Sequence, residues 1–216
     1  MIRSHRLEVL VATSNPGKIR EIQESLQSLP LRLRYLREFH DISSAEETGR
    51  TYEDNAILKA MSYATQTGVF ALADDSGLEV DALEGAPGVF SARYGGDHAS
   101  DQERTDKLLM ALSQHPGRER TARFVCSVAL AGWLPGKSKP RNNDPQVLYV
   151  GEGKCEGLIV EEVRGTNGFG YDPVFVPNGY DRTFAELPAA VKNVISHRAR
   201  ALTAMREFLT GWIGNA

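Results

Sequence analysis

The sequence predicts an α/β fold built on a mixed β-sheet with flanking helices. Two short apolar runs, Leu7–Ala12 and Val69–Ala73, each end in a polar turn, and amphipathic helical patterns lie between them. That order is the mark of parallel βαβ units. Two longer stretches, Thr121–Leu130 and Val147–Val163, alternate apolar with polar residues, as the antiparallel strands of a second lobe do. At 216 residues the chain suffices for one large domain or for two lobes sharing one sheet.

Leu7–Ala12 is nearly continuous apolar, hence a strand covered on both faces. Thr13-Ser14-Asn15-Pro16-Gly17-Lys18 stops it, with Asn15 as N-cap and Pro16 in the first turn of a helix whose stripe is Ile19, Ile22, Leu26 and Leu29. A strand, a polar turn and a helix start in that order offer backbone N–H groups and the Lys18 charge to an anion, although an ordinary capped helix reads the same. Leu31–Leu36 alternates apolar with basic and reads as an outer strand. The acidic turn Glu46-Glu47-Thr48-Gly49 precedes a helix capped by Thr51, on which Asn55 and Lys59 share one face.

Val69–Ala73 then runs into Asp74-Asp75-Ser76-Gly77, read as the turn that ends a buried strand. Open α/β sheets place ligands at such edges. Adjacent carboxylates repel unless a cation or proton lies between them. The pair is therefore either a site for a hard cation, most simply Mg²⁺, or a turn that one Asp caps. Gly85–Gly88 and Tyr94–Gly96 bound a loop, and Ser100 with Glu103 forms a capping box that opens a helix through Leu112. Leu134–Gln146, rich in Pro, Gly, Lys and Asn, reads as a hairpin excursion.

In Gly165–Pro173 an aromatic, Phe169, stands between two glycines. It is placed either to lie on a nucleobase, where stacking contributes about 1–3 kcal/mol, or to anchor its loop inward. Val174–Val176 reads as a short strand, and the last helix starts with Ser196 as N-cap. His197 and Arg198 then occupy a helix start, where the macrodipole disfavours cations and an anionic or polar ligand offsets the cost.

Composition excludes several classes. A net charge of −3 argues against a nucleic-acid partner, which needs a broad basic face. No long apolar segment or leader is visible, so no membrane partner is expected and the default compartment is the cytoplasm. Cys126 and Cys155 have no metal-ligand spacing and read as reduced structural thiols.

Carboxylates at Asp74, Asp75 and Glu47, positive charge from Lys18, Lys59, Lys192 and Arg198, and an aromatic platform at Phe169 together describe a site for a nucleotide with a polyphosphate tail and Mg²⁺. TSNPGK, EETGxTYEDNAxxKA, ADDSGLEVDALEGAPGVFSARYGG, GTNGFGYDPVF and KNVISHRARAL occur in that order over nearly the whole chain. In these motifs the chain resembles the noncanonical purine nucleoside triphosphate pyrophosphatases, the Ham1-type inosine/xanthosine triphosphatases. The resemblance implies an elongated mixed sheet, a single domain of two lobes with a central cleft, a homodimer, a divalent metal, and hydrolysis of ITP, dITP and XTP to the monophosphate and pyrophosphate. By the same resemblance Asp75 is the proton acceptor, and Glu47 and Asp75 are metal ligands with Asp74 and Glu46 secondary. It assigns substrate binding to Thr13, Ser14, Asn15, Pro16, Gly17, Lys18, Lys59, Ser76, Phe169, Gly170, Tyr171, Asp172 and Lys192. His197 and Arg198 meet the purine, while Lys18 and Lys192 are expected on the phosphate tail. A pyrophosphatase for other modified nucleotides and a non-catalytic nucleotide-binding module are the alternatives, which pyrophosphate release from ITP separates.

Overall fold

The computed structural model describes residues 6–133 and 144–214, so most of the expected Leu134–Gln146 excursion lies outside the described residues. Strand β1 (Leu7–Val11) is followed by helix α1 (Pro16–Leu26), strand β2 (Leu31–Tyr35), helix α2 (Tyr52–Thr67) and strand β3 (Phe70–Val80). Then come α3 (Asp101–Ser113), β4 (Thr121–Gly132), β5 (Gln146–Ile159), β6 (Phe175–Pro177), α4 (Ala189–Ile195) and α5 (His197–Gly214). The strands form one sheet in the order β2-β1-β3-β4-β5-β6. β1 runs parallel to both β2 and β3, whereas β5 and β6 are antiparallel, so the sheet is mixed as expected.

The helix starts follow from local chemistry. Asn15 caps α1 by accepting from the N–H groups of Gly17 and Lys18, and Pro16 supplies the fixed φ of a first turn. Thr51 with Asp54 and Ser100 with Glu103 form reciprocal capping boxes on α2 and α3. α4 was not expected, because its seven residues carry neither a side-chain cap nor a full hydrophobic period.

One expectation is corrected. Asp74-Asp75-Ser76-Gly77 is not a turn, because β3 runs unbroken from Phe70 to Val80 through all four residues. The carboxylates that would have capped a turn are instead engaged by Lys18 and Lys59, which leaves the backbone free to stay extended. β1 ends at Val11, paired with Leu72, so β3 outruns its parallel neighbour and the Asp pair still sits at the carboxyl end of β1.

By its contacts the chain divides into two compact units, each with its own core. Unit 1 comprises Met1–Asp75, Ser127–Glu152 and Ala201–Ala216. Its core is built mainly from small residues: Leu10 on β1 with Ala12 just beyond its end, and Ala71 and Ala73 on β3 and Ala129 and Ala131 on β4, each strand pair two apart and hence on one sheet face. They meet Ala56, Ala60, Tyr63 and Ala64 of α2. An alanine seam lets helix and sheet approach closely, which brings Asn55 and Lys59, flanking that seam, within reach of Asp75. Unit 2, Ser76–Cys126 and Gly153–Arg200, packs Leu78, Val80, Leu108 and Leu112 around the aromatic group Phe124, Phe175 and Phe184.

Candidate active site

In unit 1 the predicted residues form two ion-paired groups. Successive strand residues point to opposite faces, so Asp74 and Asp75 do not converge on one cation. Asp74, its side chain fully buried, takes Lys18 Nζ at 3.0 Å. Asp75 accepts Lys59 Nζ on Oδ1 at 2.9 Å and Asn55 Nδ2 on Oδ2 at 3.2 Å. The same ammonium reaches Glu47 Oε1 at 3.3 Å. Asp75 is therefore partnered by Glu47 and not by its sequence neighbour. Glu46 is an exposed residue of the same segment.

Burial lifts the Asp75 carboxyl above its ordinary value, outweighing Lys59 and Lys18, and the nearby Glu47 charge adds to the rise. Burial alone would lower Lys59, but Asp75, Asp74 and Glu47 together outweigh it and hold the ammonium charged. A carboxylate of raised basicity, buried and fixed from two sides, is suited to take a proton.

The Thr13–Lys18 segment is bound up in its own cap. Thr13 Oγ1 accepts from the Asn15 N–H at 3.2 Å, and Asn15 Oδ1 accepts from Gly17 and Lys18 at 2.8 and 3.1 Å. Those two N–H groups, read from sequence as anion donors, are taken by the cap. What the segment presents is the exposed Ser14, Asn15 and Pro16 and the Lys18 ammonium.

In unit 2 the second set gathers around Phe169. Its half-buried ring has Lys192 Nζ 4.5 Å and Arg198 Cζ 5.7 Å from its centre. Asp172, buried, accepts Lys192 Nζ at 2.5 Å and the Phe169 N–H at 2.9 Å on one oxygen. Gly168, at φ +79, leaves no room for a Cβ beside that carboxylate. The Gly170 N–H donates to Asp101 Oδ2 at 2.6 Å, so the loop is held from both ends of the Phe169-Gly170 pair. Arg198, almost fully buried, donates from Nη2 to Ser76 Oγ at 2.8 Å.

Three further predicted residues have partners of their own. Lys192 stands with Phe169 and Asp172 in unit 2, whereas Lys18 and Lys59 stand in unit 1. Lys192 Nζ meets the Asp172 carboxylate and the Phe169 face together. The Tyr171 side chain belongs to the core: its hydroxyl donates to the Ser91 carbonyl at 2.9 Å, and burial pushes its pKa well up. His197 lies flat on Phe124, ring centres 4.7 Å apart at 10°, at the start of a helix that Ser196 caps through Ala199.

Asn55 and Asp101 were missed as site residues. The four-residue spacing of Asn55 and Lys59 carried a signal for the first; nothing in the sequence links Asp101 to Gly170.

Among the described residues no group of three or more His, Cys, Asp or Glu side chains is arranged to hold a metal, and no helix is long and apolar enough to cross a membrane. Two carboxylates, Glu47 and Asp75, do converge on one cationic point, the Lys59 ammonium. One or two carboxylates completed by water and phosphate oxygens is the donor set Mg²⁺ takes at nucleotide sites, so these residues fit it.

A profile described as the Ham1 family matches residues 9–208. The chain is 46% identical over 205 residues to a Bacillus cereus protein named dITP/XTP pyrophosphatase, covering 95% of this chain and 96% of the relative. It is 48% identical over 206 residues to a Geobacter sulfurreducens protein of the same name, covering 95% and 98%. The solved structure of a HAM1 protein from Coxiella burnetii superposes with a TM-score of 0.82 at 45% identity, covering 95% of this chain and 99% of that one. A match over nearly the full length, in sequence and in fold alike, has one meaning: the chain belongs to the Ham1 family.

Proposed function

We propose that the chain hydrolyses noncanonical purine nucleoside triphosphates, ITP, dITP and XTP, to the monophosphate and pyrophosphate, and so keeps deaminated purines out of DNA and RNA. The observation that carries this reading is Asp75, a buried carboxylate of raised basicity held by Lys59 beside Glu47. Relatives at 46–48% identity named dITP/XTP pyrophosphatase support the substrate class.

Water attacks the α-phosphorus: a phosphorus–oxygen bond forms, the α–β anhydride bond breaks, and pyrophosphate leaves with the electron pair. Asp75 takes the proton of the attacking water. Glu47 and Asp75 would hold Mg²⁺, with Asp74 and Glu46 outside them. When bound, the ion supplies neutralisation of charge on the phosphate oxygens. Lys18 and Lys59, with the Thr13–Gly17 segment, hold the phosphates, so the protein contributes mainly position and fixed charge.

The unit 2 set serves the base. The Phe169 ring offers a stacking face, and Gly170, Tyr171 and Asp172 shape its loop. Arg198 only donates hydrogen bonds and a His197 ring nitrogen can donate one, which suits the carbonyl at position 6 of hypoxanthine and xanthine and opposes the 6-amino group of adenine, while Lys192 is proposed for the phosphate tail. Ser76 orients Arg198, and His197, stacked on Phe124, is proposed to meet the purine beside it. The working form is proposed to be a cytoplasmic homodimer, each subunit one domain of two lobes sharing the sheet.

Pyrophosphate release measured with Mg²⁺ over ITP, dITP, XTP, GTP and ATP tests the proposal. Turnover of the first three with kcat/KM on the order of a hundredfold above ATP is expected, since a polar site rejects a mispaired group strongly. Nucleotide binding without release, or orthophosphate as product, overturns it.

A further inference from the structure

Asn55 is almost fully buried, yet both ends of its amide are engaged. Its Oδ1 accepts from the Gly49 N–H at 2.8 Å, and its Nδ2 donates to Asp75 Oδ2 at 3.2 Å. Gly49 closes the segment that carries Glu47, and Asp75 lies on β3, so one side chain ties the two carboxylates' supports together. An amide is suited to this because it carries an acceptor and a donor on one planar group. A carboxylate at position 55 would face Asp75 as a like charge, and an apolar residue would leave a backbone N–H and a carboxylate oxygen without these bonds.

The position is rigid on both sides. Asn55 lies in the second turn of α2, behind the Thr51–Asp54 capping box, and its own N–H donates to Thr51 O at 3.2 Å. Gly49 packs so closely on this turn that a Cβ would lie 2.5 Å from Asp54 Cβ, 2.7 Å from Asn55 Oδ1 and 2.9 Å from Asn55 N. The loop is thus clamped to the helix by a missing side chain and a hydrogen bond at the same point. Lys59, one turn further along the same face, completes the arrangement by touching Glu47 and Asp75 together.

We infer that Asn55 is a positioning residue that sets the spacing of Glu47 and Asp75 for a divalent cation, by holding the Gly49 backbone and the Asp75 carboxylate on one amide. This rests on the reading of Glu47 and Asp75 as the metal ligands. Partners of ligating carboxylates behave this way in metal sites, and their loss weakens metal affinity about 10–100-fold.

The test uses the full chain, Mn²⁺ as probe, read by electron paramagnetic resonance in the presence of α,β-methylene inosine triphosphate, and inosine monophosphate binding in EDTA as a readout free of metal. Asn55→Ala is expected to weaken Mn²⁺ about tenfold or more while inosine monophosphate affinity stays within about twofold. Gly49→Ala, whose Cβ crowds the Asn55 amide oxygen and so strains the same hydrogen bond from the loop side while Asn55 itself is retained, keeps the test open if Asn55→Ala fails to fold, and is expected to act in the same direction. Melting temperatures recorded alongside separate a purely structural role, which would lower stability and leave Mn²⁺ affinity of the folded protein unchanged. Wild-type Mn²⁺ affinity in a folded Asn55→Ala or Gly49→Ala protein overturns the inference. Glu47→Gln and Asp75→Asn serve as controls: if both bind Mn²⁺ as wild type does, the ligand assignment itself is wrong and the inference falls with it.

Discussion

Asp75 is the residue at which burial, ion pairing and chemistry coincide. Asp75→Asn keeps the volume and the hydrogen-bonding shape but removes the charge and the proton-accepting capacity. The expected outcome is a folded protein by circular dichroism whose kcat for ITP falls well beyond tenfold, a tenfold loss being ~1.4 kcal/mol of barrier. A variant that keeps a tenth of the wild-type rate would show that the proton goes elsewhere. A second prediction concerns a residue outside the site. Burial pushes the Cys155 thiol up to about 11, with Arg200 opposing. At pH 8 about one thiol in a thousand is then ionised, and that fraction rises about tenfold per pH unit up to the pKa. Reaction with a chromogenic disulfide is therefore expected to be very slow in the native protein, to quicken as the pH is raised, and to be complete in guanidinium. Fast native labelling at Cys155 would contradict the burial of that side chain.

At the scale of elements, α2 does most to place chemistry, and its first turn depends on a short-range device. Thr51 Oγ1 accepts from the Asp54 N–H at 3.0 Å, and Asp54 Oδ2 accepts from the Thr51 N–H at 3.2 Å. Thr51→Ala is expected to lower stability by about 1 kcal/mol, seen as a lower urea midpoint at unchanged slope. An unchanged midpoint would mean that the box contributes nothing. The same contrast of ranges explains what could be read in advance. The caps at Asn15, Thr51 and Ser100 were legible because each is decided within three residues. The alternating strands and the outer, basic β2 were legible from period alone. The continuation of β3 through Asp74–Gly77 was not, because local turn chemistry there is overruled by Lys18 and Lys59 arriving from other elements. Phe169 was legible as an aromatic between glycines, but the Asp101 bond to Gly170 joins residues 69 apart and leaves no local trace.

At the scale of the whole molecule, each unit closes its own core, and neither core needs a bound ion to do so. In unit 1 Glu47 and Asp75 share the single charge of Lys59, which limits their mutual repulsion when no metal is present. EDTA is accordingly expected to stop pyrophosphate release while moving the melting temperature by less than about 2 °C, under ~1 kcal/mol for a chain of this size. A large loss of stability would show the ion to be part of the fold.

The unbroken path of β3 has a further consequence for what the chain tolerates. Asp75 and Ser76 are joined by one peptide bond, and one serves Lys59 while the other serves Arg198. Because side chains alternate along a strand, a single inserted residue between Leu72 and Val80 would turn everything after it to the opposite face. Two inserted residues would restore the faces but displace the remainder by about 7 Å along the strand. Substitutions at many of these positions leave the spacing intact, whereas no change of length does. The stretch is therefore specified by its count of residues as firmly as by their identities, and insertions or deletions there are expected to abolish activity even when every side chain named above is retained.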